Sequence, residues 1–466
     1  MKKSFYIFLD LILLLSLTAC STTEPPTPPD ETKPVLTLSF DKKSCTELWI
    51  KLTTKDLTLP AQLILKQYNP SGDSVTQTLS LSTQDSLLYI DFLLPNQNYS
   101  FQVSSIQSAT GGQVSSNKLT ATTLDTTSHN FTYQTFEFGE PLTGNSSRLY
   151  DVAIINENDI WAVGEIYVND SLGQADPIPY NVVRWNGNSW ELKRVYFPVV
   201  CGQSSLIPYS SRSINVFSDN EIWMSTGGDK IAAIKEGIQI NQFCLPSNLN
   251  MSINKIWGNS KSHFYVIGNE GKIGYYNGSS WASVTSGTAL PLTDIYGKDD
   301  NEVYISGAYT PEVKGVLLKG NSSQFSVMIN SEIISENGLF EKLYGELASV
   351  WVDDNGTVYT GGNLMFQYKN DKWDYVRSLP ENYIGGNPGT SYRGFIASIR
   401  GNASNDYIIA GDRNTLKHFN GVSWQQIGLP YSPSNPIIWY KVEQKGNTIV
   451  AVGDYGSKAF IILLNR

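Results

Sequence analysis

One short turn recurs along the chain in nearly the same form. The strings "WNGNSW" (185–190), "YNGSSW" (276–281) and "FNGVSW" (419–424) share it, and "YKNDKW" (368–373) is a looser copy. Asn-Gly is a strong hairpin signal because both residues tolerate positive φ. The repetition therefore predicts several hairpins of one design. We expect each tryptophan to pack its apolar surface over the adjoining sheet, with ligand stacking as the alternative.

A second element recurs ahead of these turns, namely a short polar turn followed by a mostly apolar strand that closes on glycine. Successive copies are 39 to 63 residues apart, which brackets the period of about 40 to 50 residues found in propeller blades. We count seven copies and predict an all-β chain with a seven-bladed β-propeller over residues 126–466; six or eight blades are the alternatives. The copies end at Gly164, Gly227, Gly268, Gly307, Gly361, Gly411 and Gly453.

The two ends of the repeat region complement each other. The seventh copy stops after "KAFIILLNR", which supplies a third strand and no fourth. The strand-like "FTYQTFEFG", from Phe131 to Gly139, precedes the first copy and has no blade of its own. We therefore predict that this segment is the outer strand of the last blade, because ring closure removes the exposed edges of an open array.

The repeat resembles a family of bacterial propeller repeats with the pattern "IWG…DVYAVG…I.HYNG..W". Its counterparts here are "IWG" at 256–258, "VYISG" at 303–307 and "HFNG" at 418–421. The resemblance implies a secreted or surface protein. The chain does not resemble the Trp-Asp repeat, because the Gly-His and terminal Trp-Asp pairs of that repeat are missing.

Residues 35–125 form a separate module of short alternating strands at sandwich spacing. The stretch "LPNQNYSFQV" (94–103) resembles the fibronectin type III pattern of Leu and Pro before a tyrosine. That resemblance implies a β-sandwich in which the Tyr99 hydroxyl closes a corner onto the backbone, and it implies a spacer role. Trp49 departs slightly from the family's usual tryptophan position.

The chain begins with a targeting segment. Residues 1–19 combine two lysines with an apolar run, as a signal peptide does, and "LTAC" at 17–20 resembles the lipobox of bacterial lipoproteins. The resemblance implies cleavage before Cys20, lipid attachment to that residue and membrane anchoring. Residues 20–34 are rich in Pro and Thr and predict an extended tether. Ser21 favours the outer membrane, and Asp30 and Glu31 favour its outer surface; the alternative is an ordinary signal peptide with a chance cysteine.

The net charge of −9 argues against a nucleic-acid partner, which requires a basic face. Besides Cys20 the chain has Cys45, Cys201 and Cys244, and no CxxC pair suggests zinc or iron–sulfur binding. A disulfide between Cys201 and Cys244 and two unpaired buried thiols are both open interpretations.

No sequence motif indicates catalysis. His129, His263 and His418 fall at unrelated positions and predict no metal site. G-x-S-x-G is absent, and the Gly-rich pieces lack a phosphate-binding lysine. "DDNE" (299–302) and "DDNG" (353–356) occupy the turn position of the repeat, so we interpret them as hairpin turns rather than catalytic or calcium ligands. We predict no catalytic residue, cofactor or metal ion.

These patterns together favour a monomeric, lipid-anchored protein of the cell surface that binds a glycan or protein partner without catalysis. The partner is expected at the central face or at the loops of the long units, 166–181 and 330–344. One alternative is a glycosidase or lyase that uses carboxylates around the central channel. Another is an assembly factor for membrane complexes.

Overall fold

The computed structural model describes residues 33–106, 112–140, 144–331, 345–376, 395–429 and 435–466. Several predicted features lie outside these ranges. They are the signal peptide, Cys20 and the tether up to residue 32, and residues 332–344 of the long unit at 330–344. Strands dominate the described residues, together with two 3₁₀ turns at Asn269–Gly271 and Thr310–Glu312. Among the described residues, no helix has the length and apolar character needed to cross a membrane.

The first seven strands form two antiparallel sheets, in the orders β1-β2-β5 and β4-β3-β6-β7. Alternating leucines from both sheets fill the core between them, with Phe101 and Val103. The hydroxyl of Tyr99 accepts a hydrogen bond from the Leu94 N–H at 2.9 Å, and this ties the entry of β6 to the preceding turn. The strands are β1 (Val35–Lys43), β2 (Leu48–Lys55), β3 (Ala61–Tyr68), β4 (Ser74–Leu81), β5 (Asp85–Ile90), β6 (Asn98–Ser105) and β7 (Leu119–Thr122).

After β8 (Thr132–Phe138), the chain forms seven four-stranded antiparallel sheets, which we number 1 to 7 in chain order. Sheet 1 contains β9 (Arg148–Asn156), β10 (Asp159–Ile166), β11 (Tyr180–Trp185) and β12 (Trp190–Lys193). A small hairpin of β13 (Phe197–Pro198) and β14 (Leu206–Ile207) follows. Sheet 2 contains β15 (Ser211–Val216), β16 (Ile222–Thr226), β17 (Lys230–Lys235) and β18 (Ile238–Cys244).

The remaining sheets repeat this order. Sheet 3 contains β19 (Ile253–Ser260), β20 (His263–Gly268), β21 (Ile273–Tyr276) and β22 (Trp281–Val284). Sheet 4 contains β23 (Leu292–Asp299), β24 (Glu302–Tyr309), β25 (Lys314–Gly320) and β26 (Phe325–Asn330). Sheet 5 contains β27 (Leu347–Val352), β28 (Val358–Gly362), β29 (Met365–Lys369) and β30 (Lys372–Tyr375). Sheet 6 contains β31 (Ile396–Ala403), β32 (Asp406–Gly411), β33 (Leu416–Phe419) and β34 (Trp424–Gln426). Sheet 7 contains β35 (Ile437–Lys445), β36 (Thr448–Tyr455), β37 (Lys458–Asn465) and β8.

The sheets stand around one axis. The first strand of each sheet contacts the first strand of the next, and β35 of sheet 7 contacts β9 of sheet 1. In sheet 7 the fourth strand is β8, which pairs with β37 from Ala459–Phe138 to Asn465–Thr132. Apolar clusters fill the spaces between neighbouring sheets, as in a β-propeller, where each repeat buries its faces against its neighbours.

The recurrent turns differ in one detail from the expectation. In three of the Asn-Gly turns only the glycine has positive φ, for example +91° at Gly187 and +90° at Gly278. The asparagine acts through its side chain instead: Asn277 Oδ1 accepts hydrogen bonds from the N–H groups of Ser279 (3.0 Å) and Ser280 (2.8 Å). Each closing tryptophan packs on the aromatic residue before the turn; Tyr276 and Trp281 have ring centroids 5.1 Å apart.

The sandwich docks on the turns of sheets 5 and 6. Trp49, which departs from the usual tryptophan position of the fibronectin type III pattern, lies at the interface between the sandwich and the sheets. Its Nε1 donates to Asn370 Oδ1 at 2.7 Å. Lys42 Nζ donates to the Asn355 carbonyl at 2.9 Å, and Lys369 pairs with Glu47. The free thiol of Cys45 is buried against Gly421, where a Cβ would lie 2.3 Å from the sulfur. Glycine is needed at position 421 for two reasons. Its φ is positive, and a side chain there would collide with the sandwich.

Cys201 and Cys244 form a disulfide. Cys201 lies in the hairpin of β13 and β14, and Cys244 ends β18, so the bond holds this hairpin against the outer strand of sheet 2. Of the two open interpretations, the structure has the disulfide.

Candidate functional site

The first strands of the seven sheets share a β-bulge at the same place, next to the glycine end of the second strand. The residue that pairs directly beside the bulge is polar and buried in all seven sheets. We call this set the axial ring. Its members are Asp151, Ser213, Lys255, Asp294, Ser349, Ser398 and Lys441.

Hydrogen bonds from the axial ring join neighbouring sheets. Ser213 Oγ accepts from the Ile256 N–H at 2.9 Å, and Asp151 Oδ2 accepts from the Ile214 N–H at 2.9 Å. In the same way Ser349 Oγ accepts from the Ile399 N–H at 3.1 Å. In each case the donor is the residue directly after the ring position of the next sheet. These bonds satisfy backbone N–H groups of the first strands, each of which lies at an edge of its sheet.

Charged members of the ring pair across the axis. Asp294 of sheet 4 is 2% exposed; it accepts two hydrogen bonds from Arg400 of sheet 6, at 2.7 and 3.0 Å, and one from Lys441 of sheet 7 at 2.9 Å. Asp151 of sheet 1 pairs with Lys255 of sheet 3 at 2.5 Å. Because sheets that are not neighbours supply these partners, the side chains converge on the axis.

On balance, burial and neighbouring charges lower the pKa values of both Asp294 and Lys441, but by different causes. Burial alone would raise the pKa of Asp294, but the charges of Arg400 and Lys441 outweigh it and hold that pKa below its usual value. Burial, reinforced by the charge of Arg400, lowers the pKa of Lys441 to about 8. The Asp294 carboxylate is therefore held ionised and fully bonded, and is not an available acid or base.

Two residues beyond the axial ring, the same strands supply a second layer, which we call the mouth layer. It comprises Ala153, Asn215, Trp257, Tyr296, Trp351, Arg400 and Glu443. Six of these, all except Trp351, line an open cavity of about 490 Å³. Lys255 of the axial ring also lines this cavity, so the ring lies next to it.

The mouth layer combines an apolar wall with polar groups. Trp257 and Tyr296 have ring centroids 6.4 Å apart. Glu443 lies 3.7 Å from Arg400 and keeps 32% of its side chain exposed, and burial raises its pKa. Asn215 donates to the Gly258 carbonyl at 3.1 Å. Within the described part of the chain, Glu443 is the one carboxylate that lines this cavity. The arrangement suits a ligand with one flat apolar side and several hydrogen-bonding groups.

The cavity opens on the face where the first strands end, which is the face that carries the sandwich. The turns that contact the sandwich, at Asn355 and Asn370, lie on this side. The long unit at 166–181 joins β10 to β11 and therefore lies at the opposite face. The cavity is thus the central face that the sequence indicated, but it is not built from the long loops.

The acidic turns act locally. Asp299 Oδ1 accepts from the Asn301 N–H at 2.8 Å, and Asp353 Oδ1 accepts from the Thr357 N–H at 2.8 Å. These bonds are those of hairpin turns, as the repeat position predicted. Burial raises the pKa of Asp353 to about 6, and Tyr359 donates to it at 3.2 Å.

Two of the three histidines, which fall at unrelated positions in the sequence, come into contact in the structure. His129 and His418 lie with their Nδ1 atoms 2.8 Å apart, because the linker before β8 crosses sheet 6. Sequence spacing could not show this contact, since 289 residues separate the two histidines.

The axial ring was missed by sequence reasoning, although a signal exists. In every copy a polar residue of the inner strand stands directly before a Val or Ile, as in "DV", "SI", "KI" and "DI". Aligning the seven copies on this dipeptide would have located the ring. It would not have shown which charges pair.

No family model and no curated protein matches this sequence. Several solved structures are similar in fold. YCF48 bound to D1 peptide has a TM-score of 0.49 and 13% identity, covering 72% of this chain and 94% of that chain. The WD40 β-propeller domain of Doa1 has a TM-score of 0.46 and 13% identity, covering 72% and 98%. Apo AztD from Citrobacter koseri has a TM-score of 0.35 and 8% identity, covering 87% and 98%.

Proposed function

We propose that this chain is a lipid-anchored cell-surface binding protein. In this proposal Cys20 carries the anchor, residues 21–34 are the tether and the sandwich is a fibronectin type III-like spacer. The seven sheets are the blades of a seven-bladed propeller, whose mouth layer binds a segment of a glycan or of a protein partner.

The observation that carries the proposal is the cavity of about 490 Å³ that the mouth layer lines. Its aromatic wall, Trp257 and Tyr296, offers apolar contact to one side of a ligand. Asn215 and Glu443 offer hydrogen bonds and charge to the other. Pockets with this mixture fix the orientation of a ligand through few polar groups and gain affinity from the apolar wall.

The same cavity weighs against a two-carboxylate glycosidase. That chemistry needs an acid and a second carboxylate on either side of the scissile bond. Glu443 is the one carboxylate among the described residues that line the cavity. The two carboxylates of the axial ring already form ion pairs: Asp294 with Arg400 and Lys441, and Asp151 with Lys255. Binding without hydrolysis is therefore the function that this geometry supports best.

The test is a binding screen with a matched pair of variants. The mature protein is applied to a glycan array and, in parallel, used to capture partners from detergent-solubilised envelope membranes. Glu443→Gln removes the exposed charge of the mouth, while Glu137→Gln removes a surface charge on β8 that pairs with Lys458 at 2.7 Å. We expect a glycan or protein signal that Glu443→Gln weakens at least tenfold and Glu137→Gln leaves unchanged. A signal insensitive to Glu443→Gln would reject the mouth as the binding site, and release of reducing sugar from a bound glycan would favour the enzyme instead.

Lipid anchoring is tested separately. Metabolic labelling with a fatty acid should mark the wild type and leave Cys20→Ala unlabelled. An unlabelled wild type would remove the anchor from the proposal and leave the binding site in place.

A further inference from the structure

Residues 126–131 join the sandwich to β8 and are held on sheet 6 by a chain of polar contacts, which we call the linker clasp. His129 Nε2 lies 3.1 Å from Ser423 Oγ, and the two Nδ1 atoms of His129 and His418 are 2.8 Å apart. His418 is fully buried, and its Nε2 lies 2.9 Å from Asp406 Oδ1. Arg466, the last residue, donates to the other oxygen of Asp406 at 2.5 Å.

The number of protons in this chain of contacts is restricted. Asp406 is an acceptor, so His418 carries its proton on Nε2 and offers the lone pair of Nδ1. His129 must then donate from Nδ1, which leaves its Nε2 to accept from Ser423. One added proton can be accommodated, because one imidazolium can still donate to a neutral imidazole. Two added protons place an N–H on both Nδ1 atoms and destroy the contact.

Other sheets carry a permanent cation where sheet 6 carries His418. In sheet 1, Arg184 occupies this position and pairs with Asp159 at 2.8 Å. In sheet 4, Lys319 occupies it and pairs with Glu302 at 2.7 Å. Sheet 6 keeps the acid, Asp406, but pairs it with a histidine, whose ring can donate a hydrogen bond while neutral. Sheet 6 therefore differs from sheets 1 and 4 at the position that the linker crosses.

The charges around His129 disfavour its protonation in place. The groups that face it are His418 of β33, Arg466 of the C-terminus and, behind His418, Asp406 of β32; Ser423 is neutral. Burial first, and then the charges of His418 and Arg466, lower the pKa of His129 below 6.5. A released His129 regains its ordinary value. Docking of the linker is therefore fully favoured above about pH 6.5 and weakens as the pH falls below it.

The geometry points to the linker clasp as an acid-sensitive latch that releases residues 126–131 from sheet 6 when the histidine pair gains more protons than its Nδ1–Nδ1 contact can hold. The released pair can hold one proton more than the docked pair, and for one such linked proton the docking equilibrium should fall about tenfold between pH 7.5 and pH 5.5. The remaining contacts of the sandwich, such as Trp49 with Asn370, contain no histidine and are expected to persist. Acid therefore frees the linker between the two domains, while the domains themselves stay in contact.

The first experiment reads the protons directly. The chain has three histidines, so ¹⁵N-histidine labelling of the full mature protein gives three ring systems, with His263 as the internal reference. At pH 8 we expect His129 as the Nδ1–H tautomer and His418 as the Nε2–H tautomer. A histidine that only packs in the linker would show the common Nε2–H form. Finding His129 in the Nε2–H form would overturn the proposal.

The second experiment reads the release. Hydrogen exchange of linker amides such as Thr127, whose N–H is bonded to the Asn420 carbonyl, is measured at pH 7.5 and 5.5 and corrected for the intrinsic rate. We expect the protection factor to fall about tenfold in the wild type and by less than twofold in His129→Asn, whose side-chain amide can donate but cannot titrate. A protection factor that stays constant in the wild type, or falls equally in both proteins, would overturn the latch. If His129→Asn is unprotected at both pH values, His129→Gln, whose longer side-chain amide also cannot titrate, provides the control.

Discussion

The axial ring and the mouth layer lie two residues apart on the same seven strands, yet they have different chemistry. Every ring position is polar and buried, and its polar atoms are bonded to neighbouring sheets or to opposite charges. The mouth layer mixes Ala153 with aromatic and charged residues, and part of it is open to solvent. The ring has the properties of a structural element that all seven repeats need, whereas the mouth has the individual character of a binding surface. Substitutions in the ring should therefore act on stability, and substitutions in the mouth on binding.

The largest effect is expected from Asp294→Ala. It leaves Arg400 and Lys441 buried without their counter-charge, and breaking a buried ion pair in this way costs about 3–5 kcal/mol. Urea unfolding followed by tryptophan fluorescence measures the loss. Glu137→Gln breaks an exposed pair with Lys458 and should cost no more than about 1 kcal/mol. Equal costs for the two variants would show that the ring is not the structural element of this comparison.

We expect Lys441 to make the unfolding free energy depend on pH in a way that no residue of the mouth layer does. Because burial lowers its pKa to about 8, folded Lys441 loses its proton there, while the unfolded chain keeps it to about pH 10.5. The unfolded state therefore binds more protons between these values, and the penalty of the buried charge is relieved as the pH rises. The unfolding free energy of the wild type should rise relative to that of Lys441→Met by up to about 1.4 kcal/mol per pH unit. A constant difference across pH 8 to 10.5 would contradict this.

Ser213→Ala should give a smaller loss, of about 1–3 kcal/mol, because the buried N–H of Ile256 then has no acceptor. Differential scanning calorimetry detects a change of this size. The matched comparison is Ser218→Ala, on the rim of the cavity, for which we expect a change within about 0.5 kcal/mol. If both serine variants have the melting temperature of the wild type, the hydrogen bonds between sheets contribute less to stability than the ring geometry implies.

Local patterns predicted much of this fold. The recurrent turns and glycine-ended strands located the repeats, and the missing fourth strand of the last copy predicted the pairing of β8 with β37, which the structure confirms. The module before the repeats also follows from alternation, with the Tyr99 hydroxyl bonded to the Leu94 backbone. These features depend on residues close in sequence or on a single closure condition.

The candidate site could not be predicted in the same way. The bond between Asp294 and Lys441 joins residues 147 positions apart, on sheets that are not neighbours, so it depends on how seven sheets are spaced around the axis. Sequence shows that each ring residue is polar, but not which charge faces which. The contact of His129 with His418 depends likewise on the path of the linker across sheet 6.

Glu443→Gln should have the smallest effect on stability and the most specific effect on binding. The side chain is about one-third exposed and lies 3.7 Å from Arg400, so the lost attraction is weak and the amide can still accept a hydrogen bond. We expect the unfolding free energy to stay within about 0.5 kcal/mol of the wild type, while affinity for a partner found in the binding screen falls at least tenfold. Isothermal titration calorimetry with that partner, beside urea unfolding of the same sample, measures both. A large loss of stability with unchanged affinity would place Glu443 with the ring, because its charge would then serve Arg400 rather than a ligand.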